Sequence, residues 1–155
     1  MYLAVLVVVS DQVTKKLLGD YLPLHASKVI VPGFLDLVHV RNTGAAFSLL
    51  AGAQTGLRQF FFVAITVLAL VVMIYLLGRT PSHEVWMRRG LVLILGGALG
   101  NLVDRLHYGE VIDFLHFHLG TFSWPAFNVA DSAITVGAGI LLVLLVKPAT
   151  PAKKQ

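Results

Sequence analysis

Twenty consecutive residues, "QFFFVAITVLALVVMIYLLG" from Gln59 to Gly78, contain no charge. A bilayer-spanning helix needs about 20 mostly apolar residues. Few sequence features restrict a fold more, because hydrocarbon admits only helices and closed barrels. Three further runs have similar character. Val129 to Val146 holds one charge, Asp131, near its start. Gly90 to Leu106 is apolar as far as Asn101 and carries Asp104 and Arg105 at its end. Met1 to Leu22 is interrupted from Ser10 onward. Composition agrees: 57% of the 155 residues are hydrophobic and 13% charged, with mean hydropathy +0.81. Soluble domains sit near 45–50% apolar and about 25% charged. The expected fold is an all-α integral membrane protein of four spans, in one domain over residues 1–155.

No Lys or Arg precedes the first apolar run, whereas Lys15 and Lys16 follow it. A cleaved leader has the opposite arrangement, so a retained helix is expected, short at its inner end. There is no cysteine, which excludes thiolate nucleophiles and Cys-ligated metals. The net charge of +4 comes from short basic stretches beside apolar runs. It suits membrane orientation rather than nucleic acid.

Four spans put both termini on one side. Loop Arg79 to Arg89 and tail Lys147 to Gln155 together hold six of the twelve Lys and Arg. The other six are spread over much longer segments. Density near the span ends therefore puts loop and tail on the cytoplasmic side. Seven of the eight acids fall on the opposite side. The outer segment, about residues 25–57, has β-branched residues and local alternation and predicts a small strand pair between the first two spans. Residues 148–155 read as a frayed tail.

Ionisable groups in spans are costly and mark sites. Asp11, Thr14 and Lys15 share one helix face; so do Asn101, Asp104 and Arg105, and again Asn128, Asp131, Ser132 and Thr135. Each set lies at the outer end of its helix, and Asp113 in the loop "GEVIDFLHFH" lies on the same side. One outer polar cluster is the economical reading. Some members have plainer roles: Asn128 as helix cap with Asp131 three residues on, Asp11–Lys15 as an ion pair, His116 and His118 as surface residues. Asp11 and Asp104 each have a cation close in sequence, which favours the ionised form. Asp113 and Asp131 have none within four residues except His116. They come from different elements and can face each other. Two carboxylates in contact share one proton, which supplies both a base and an acid for water-mediated peptide hydrolysis. "HEVWM" lacks the second His of a zinc peptidase helix, and no G-x-S-x-G elbow is present.

Five blocks, "DQVTK", "RNTGAAFS", "GGALGNLVDR", "GEVIDF" and "FNVADS", occur in this order over nearly the whole chain. In them the sequence resembles bacterial lipoprotein signal peptidase, the type II signal peptidase. The resemblance implies an aspartyl endopeptidase of the bacterial inner membrane, with four membrane helices and an extracytoplasmic β cradle. It implies removal of the signal peptide from diacylglyceryl-modified prolipoproteins, with the cut just before the lipidated cysteine. It puts the catalytic pair on Asp113 and Asp131. Asp11, Lys15, Asn42, Gly44, Asn101, Asp104, Arg105 and Asn128 would bind substrate or support the pair, Asp104 and Arg105 structurally. Globomycin would occupy this site. No metal or other cofactor is implied. The implied partners are the lipidated substrate and membrane lipids, with the enzyme a monomer. Gly44, Ala45 and Ala46 would allow a close backbone approach as the outer segment covers the bound chain. Family members usually carry more residues, often basic, before the first apolar run. A small channel or proton-coupled carrier is the rival; it would put ionisable residues at mid-membrane, often in repeated halves.

Overall fold

The computed structural model describes residues 1–44 and 55–146. Among them are four helices: α1 (Tyr2–Tyr21), α2 (Thr55–Arg79), α3 (Val85–Tyr108) and α4 (Val129–Val146). The described residues also form four strands: β1 (Ser27–Val31), β2 (Leu35–Asn42), β3 (Val111–Leu119) and β4 (Phe122–Ser123). The reading placed on Ala45 and Ala46, and that on the tail 148–155, lie outside the described residues.

Two helices, Gly56–Arg79 and Val129–Val146, are long and apolar enough to cross a membrane. Most of α2 is exposed apolar surface, as a lipid-facing helix requires. α1 and α3 hold the clustered polar residues, which dilutes their apolar character. The apolar run gives way to polar residues from Ser10 onward, and α1 runs on through them without a break. Thr14 turns its hydroxyl onto its own helix, at 2.7 Å from the Ser10 carbonyl oxygen. Asp11 and Lys15 pair one turn apart at 2.7 Å.

α3 is the central helix and packs on α1, α2 and α4. Its small residues set the separations, since packing rather than water exclusion drives association in lipid. A side chain at Gly97 would overlap the Ala130 carbonyl of α4. At the turn between α2 and α3, Arg88 donates to the Leu77 and Thr80 carbonyls at 3.2 and 2.7 Å. These bonds satisfy orphan acceptors at the end of α2.

The sheet corrects an expectation. A strand pair does follow α1, but the sheet has four antiparallel strands in the order β1-β2-β3-β4. β3 and β4 come from between α3 and α4, in the stretch read as a loop. α3 stops at Gly109, whose φ of 78° is left-handed, a conformation open to glycine at little cost. The chain then enters β3, which pairs with β2 through Val40↔Asp113, Arg41↔Ile112 and Asn42↔Val111. Leu18 of α1 and Leu22, its C-cap, bury against Ile112 and Phe114 of β3. Each such side chain contributes about 1.5–3 kcal/mol where burial removes it from water.

Candidate active site

The C-terminal halves of α1 and α3, the N-terminus of α4 and β3 converge on one buried polar cluster. Asp11, Lys15, Asn101, Asp104, Asp113 and Asn128 are all buried. Six such groups persist only because nearly every polar atom has a partner.

Lys15 is the hub of one half. Its Nζ lies 2.7 Å from Asp11 Oδ2 and 2.7 Å from Asp104 Oδ2, and donates to Asn101 Oδ1 at 3.4 Å. Asp104 therefore takes its cation from α1 and not from the adjacent Arg105. Consecutive helix residues point about 100° apart, so the neighbour in sequence is not the neighbour in space. Arg105 instead donates to the Asn101 carbonyl at 3.4 Å, with its guanidinium 5.8 Å from the centre of the Phe62 ring. Asp104 Oδ2 also accepts the Ile112 amide at 3.1 Å, tying α3 to β3.

Asn128 is the hub of the other half. It caps α4: Asn128 Oδ1 accepts the Asp131 amide at 2.9 Å, and Asp131 Oδ2 accepts the Asn128 amide at 3.3 Å. This reciprocal pattern is a capping box with Asp in the Glu position. The Ala130 amide, a further free donor at the helix start, goes to Asp11 Oδ1 at 2.9 Å. The α4 terminus is thus capped by its own Asn128 and by α1. Asn128 Nδ2 reaches Asp113 Oδ1 at 2.7 Å and the Ile112 carbonyl at 3.1 Å. Asn101 Nδ2 donates to Asp131 Oδ1 at 2.8 Å. Asn42 Nδ2 donates to Asp113 Oδ2 at 3.0 Å, while its Oδ1 accepts the Gly44 amide at 2.8 Å. The Gly44 bond fixes which way the Asn42 amide points.

Main-chain bonds hold the two aspartates in register. Phe127, just before the cap, exchanges bonds with Leu115 of β3: its N–H donates at 3.0 Å and its carbonyl accepts at 2.8 Å. The strand bearing Asp113 and the helix start bearing Asp131 are therefore one hydrogen-bonded unit. Asp113 is only 2% exposed. Burial first, and then the nearby Asp131 charge, push its carboxyl up from 3.8 to about 7. Hydrogen bonds from Asn42 and Asn128 act in the opposite direction.

Asp11, Lys15, Asn42, Gly44, Asn101, Asp104, Arg105, Asp113, Asn128 and Asp131 sit in or beside this cluster, whereas Thr14 and Ser132 bond back onto their own helices and Thr135 is exposed. Gln12 was missed. Its Nε2 reaches Asp104 Oδ1 at 2.9 Å, Asp11 Oδ2 at 3.2 Å and the Gly100 carbonyl at 3.3 Å. It lies off the Asp11–Lys15 face, so spacing alone did not select it. His116 and His118 do share a face of β3, with His118 Nε2 3.1 Å from Asp36 Oδ2.

A sequence profile described as Signal peptidase (SPase) II matches residues 3–147. The chain belongs to the signal peptidase II family. Among its relatives in the family is a lipoprotein signal peptidase of Syntrophotalea carbinolica, 48% identical over 92% of this chain and 88% of its own length. The lipoprotein signal peptidase of Paraburkholderia phymatum is 49% identical over 90% and 82%. That of Francisella tularensis subsp. novicida is 46% identical over 90% and 86%. The fold matches a bacterial membrane enzyme solved by the in meso method at 2.3 Å resolution. The TM-score is 0.85 at 33% identity, over 99% of this chain and 91% of that one. This signal peptidase II chain is thus a peptidase by family.

Proposed function

We propose that this protein is an aspartyl endopeptidase that removes signal peptides from diacylglyceryl-modified prolipoproteins, cutting just before the lipidated cysteine. Family membership supports the reaction. The dyad assignment rests on one observation: Asn128 binds the Asp113 carboxyl while its cap fixes Asp131. Asp113 carries the proton near neutrality and Asp131 serves as base. Asp131 takes a proton from a water whose oxygen attacks the scissile carbonyl carbon. Asp113 gives its proton to the carbonyl oxygen. Collapse of the gem-diol intermediate breaks the C–N bond; the proton held by Asp131 goes to the leaving amine, and one gem-diol hydroxyl returns a proton to Asp113, giving the carboxylic acid and the starting dyad. Asn42, Asn101 and Asn128 orient the carboxyls. Asp11, Lys15, Asp104 and Arg105 support the cluster, Asp11 by capping α4.

In this reading all four helices cross the bacterial inner membrane. The sheet and dyad lie at the extracytoplasmic interface and both termini are cytoplasmic. The inner loop's Arg79 over Tyr75 and Arg89 over Trp86 suit an interfacial belt. The protein works as a monomer among membrane lipids, and the acyl chains of the substrate hold the scissile bond near the interface. Purified Asp113→Asn and Asp131→Asn should each lose at least about a thousandfold in cleavage of a lipidated prolipopeptide, assayed without added metal or ATP, while accumulating in the membrane. Near-normal cleavage by either variant would overturn the dyad.

A further inference from the structure

β3 has two faces. Asp113 and Asn42 look into the cluster; Arg41 and Ile112, directly paired, look the other way. On that other side lies a cavity of about 590 Å³, lined by Gln12, Lys16, Asp20, His39, Arg41 and Tyr108. Its floor includes Lys15 and Asp104, whose charges are already paired. The side chains around its mouth are not. Among the described residues, Lys16, Asp20 and Arg41 make no ion pair; Arg41 stacks over Tyr108 at 5.3 Å. His39 is buried, and its Nδ1 lies 2.7 Å from the Leu22 carbonyl. A carbonyl only accepts, so Nδ1 carries the hydrogen and Nε2 of the neutral ring is an acceptor. Nε2 has no hydrogen-bond partner among the described residues, in a ring that lines the cavity. The cavity therefore offers two cations on one hand and a carboxylate with a ring acceptor on the other.

A second observation says what matches this pair of charges. Leu6, Val9, Val13, Lys16 and Asp20 fall at i, i+3, i+7, i+10 and i+14 on α1, one helix face. The first three are exposed apolar residues, and the last two line the cavity. From Leu6 to Lys16 the helix rises about 15 Å, half of a hydrocarbon core of about 30 Å. An apolar stripe one leaflet long thus ends in a site for one anion and one ammonium.

We infer that the Lys16–Asp20–His39–Arg41 cavity binds the headgroup of an aminophospholipid, with its acyl chains along the Leu6–Val9–Val13 stripe of α1. The phosphate sits between Lys16 and Arg41. The primary ammonium donates to Asp20 and to His39 Nε2. A quaternary ammonium has no N–H to donate, and an anionic glycerol headgroup leaves Asp20 facing a hydroxyl. The selectivity expected is ethanolamine over both choline and glycerol headgroups. This site lies across β3 from the dyad, and its placement at the outer interface rests on the orientation proposed above.

Native mass spectrometry of the full chain in detergent, with equal amounts of acyl-matched phosphatidylethanolamine, phosphatidylglycerol and phosphatidylcholine, tests it. The wild type should retain the ethanolamine lipid about fivefold over the other two. Lys16→Gln should lower retention of all three lipids, which share the phosphate. Asp20→Asn should lower the ethanolamine lipid alone. Equal retention of the three, a preference for the glycerol lipid, or variants that match the wild type would each overturn the inference. Cleavage of a lipidated peptide in lipid-free detergent is followed in parallel, and both variants should keep wild-type kcat and KM. A raised KM would assign the cavity to the substrate's polypeptide and overturn the lipid reading. Loss of lipid selectivity with cleavage intact separates failure here from failure of the peptidase reading.

Discussion

Asp113 is a carboxyl whose proton is held by its surroundings. Burial, and then the Asp131 charge, push it up to about 7 from 3.8. Between about pH 4 and 7 the folded state keeps a proton that the unfolded chain has released. By linkage the folded state is then relatively favoured at low pH, and its advantage shrinks as pH rises to about 7, after which the difference is constant. The span is on the order of a few kcal/mol. Asp113→Asn, neutral throughout, should lack this slope: in detergent unfolding curves its stability relative to wild type should rise from pH 5 to 7.5. Parallel profiles would refute the shifted carboxyl. In the proposed mechanism, cleavage should fall on the alkaline side with an apparent midpoint near 7, because Asp113 would lose the proton it donates there. The sequence pointed to this residue for a physical reason: no Lys or Arg lies within four residues of it, and among the described residues no cation pairs with it. The same reasoning misjudged Asp104, where adjacency suggested Arg105 and the fold supplied Lys15.

At the scale of elements, one buried cation binds α1 to α3. Lys15 is 3% exposed and faces Asp11 and Asp104. Lys15→Met keeps the volume but leaves two buried carboxylates without their cation. The expected loss is about 3–5 kcal/mol, read as a lowered unfolding midpoint in detergent. A double change, Lys15→Met with Asp104→Asn, should recover part of it. A Lys15→Met midpoint equal to wild type would show that the pair does not hold α1. The helices were legible because apolar length and i, i+3, i+4 spacing are local properties. Their boundaries differ by a few residues from the apolar runs, since polar ends such as Val85 to Arg89 continue the helix beyond the hydrocarbon-like stretch. β3 was not legible. "VIDFLHFHL" does alternate, with Ile112, Phe114, His116 and His118 against Val111, Asp113, Leu115 and Phe117, but both sets are largely apolar. The contrast that marks a half-buried strand is weak when both faces are covered. Its partner β2 lies about 70 residues earlier, a pairing that no local window contains.

For the whole molecule, the orientation admits a direct test. The chain has no cysteine, so single introduced thiols report without background. Ser82→Cys, in the turn between α2 and α3, should react with an impermeant maleimide only after the inner face is opened. Thr121→Cys, in the β3–β4 turn, should react in intact spheroplasts. The reverse pattern would invert the proposed topology and put the cluster on the cytoplasmic side. The partition of the molecule by β3 has a consequence for its heredity. Asp113 follows the Gly109 turn by four residues, and side chains alternate faces along a strand. One codon inserted between Gly109 and Asp113 would carry the aspartate through to the other side of the sheet and deliver an apolar neighbour to the cluster. Reading frame and composition would be intact, yet the site would be gone. The length of this five-residue interval is therefore as strict a genetic constraint as the identity of the acid it delivers.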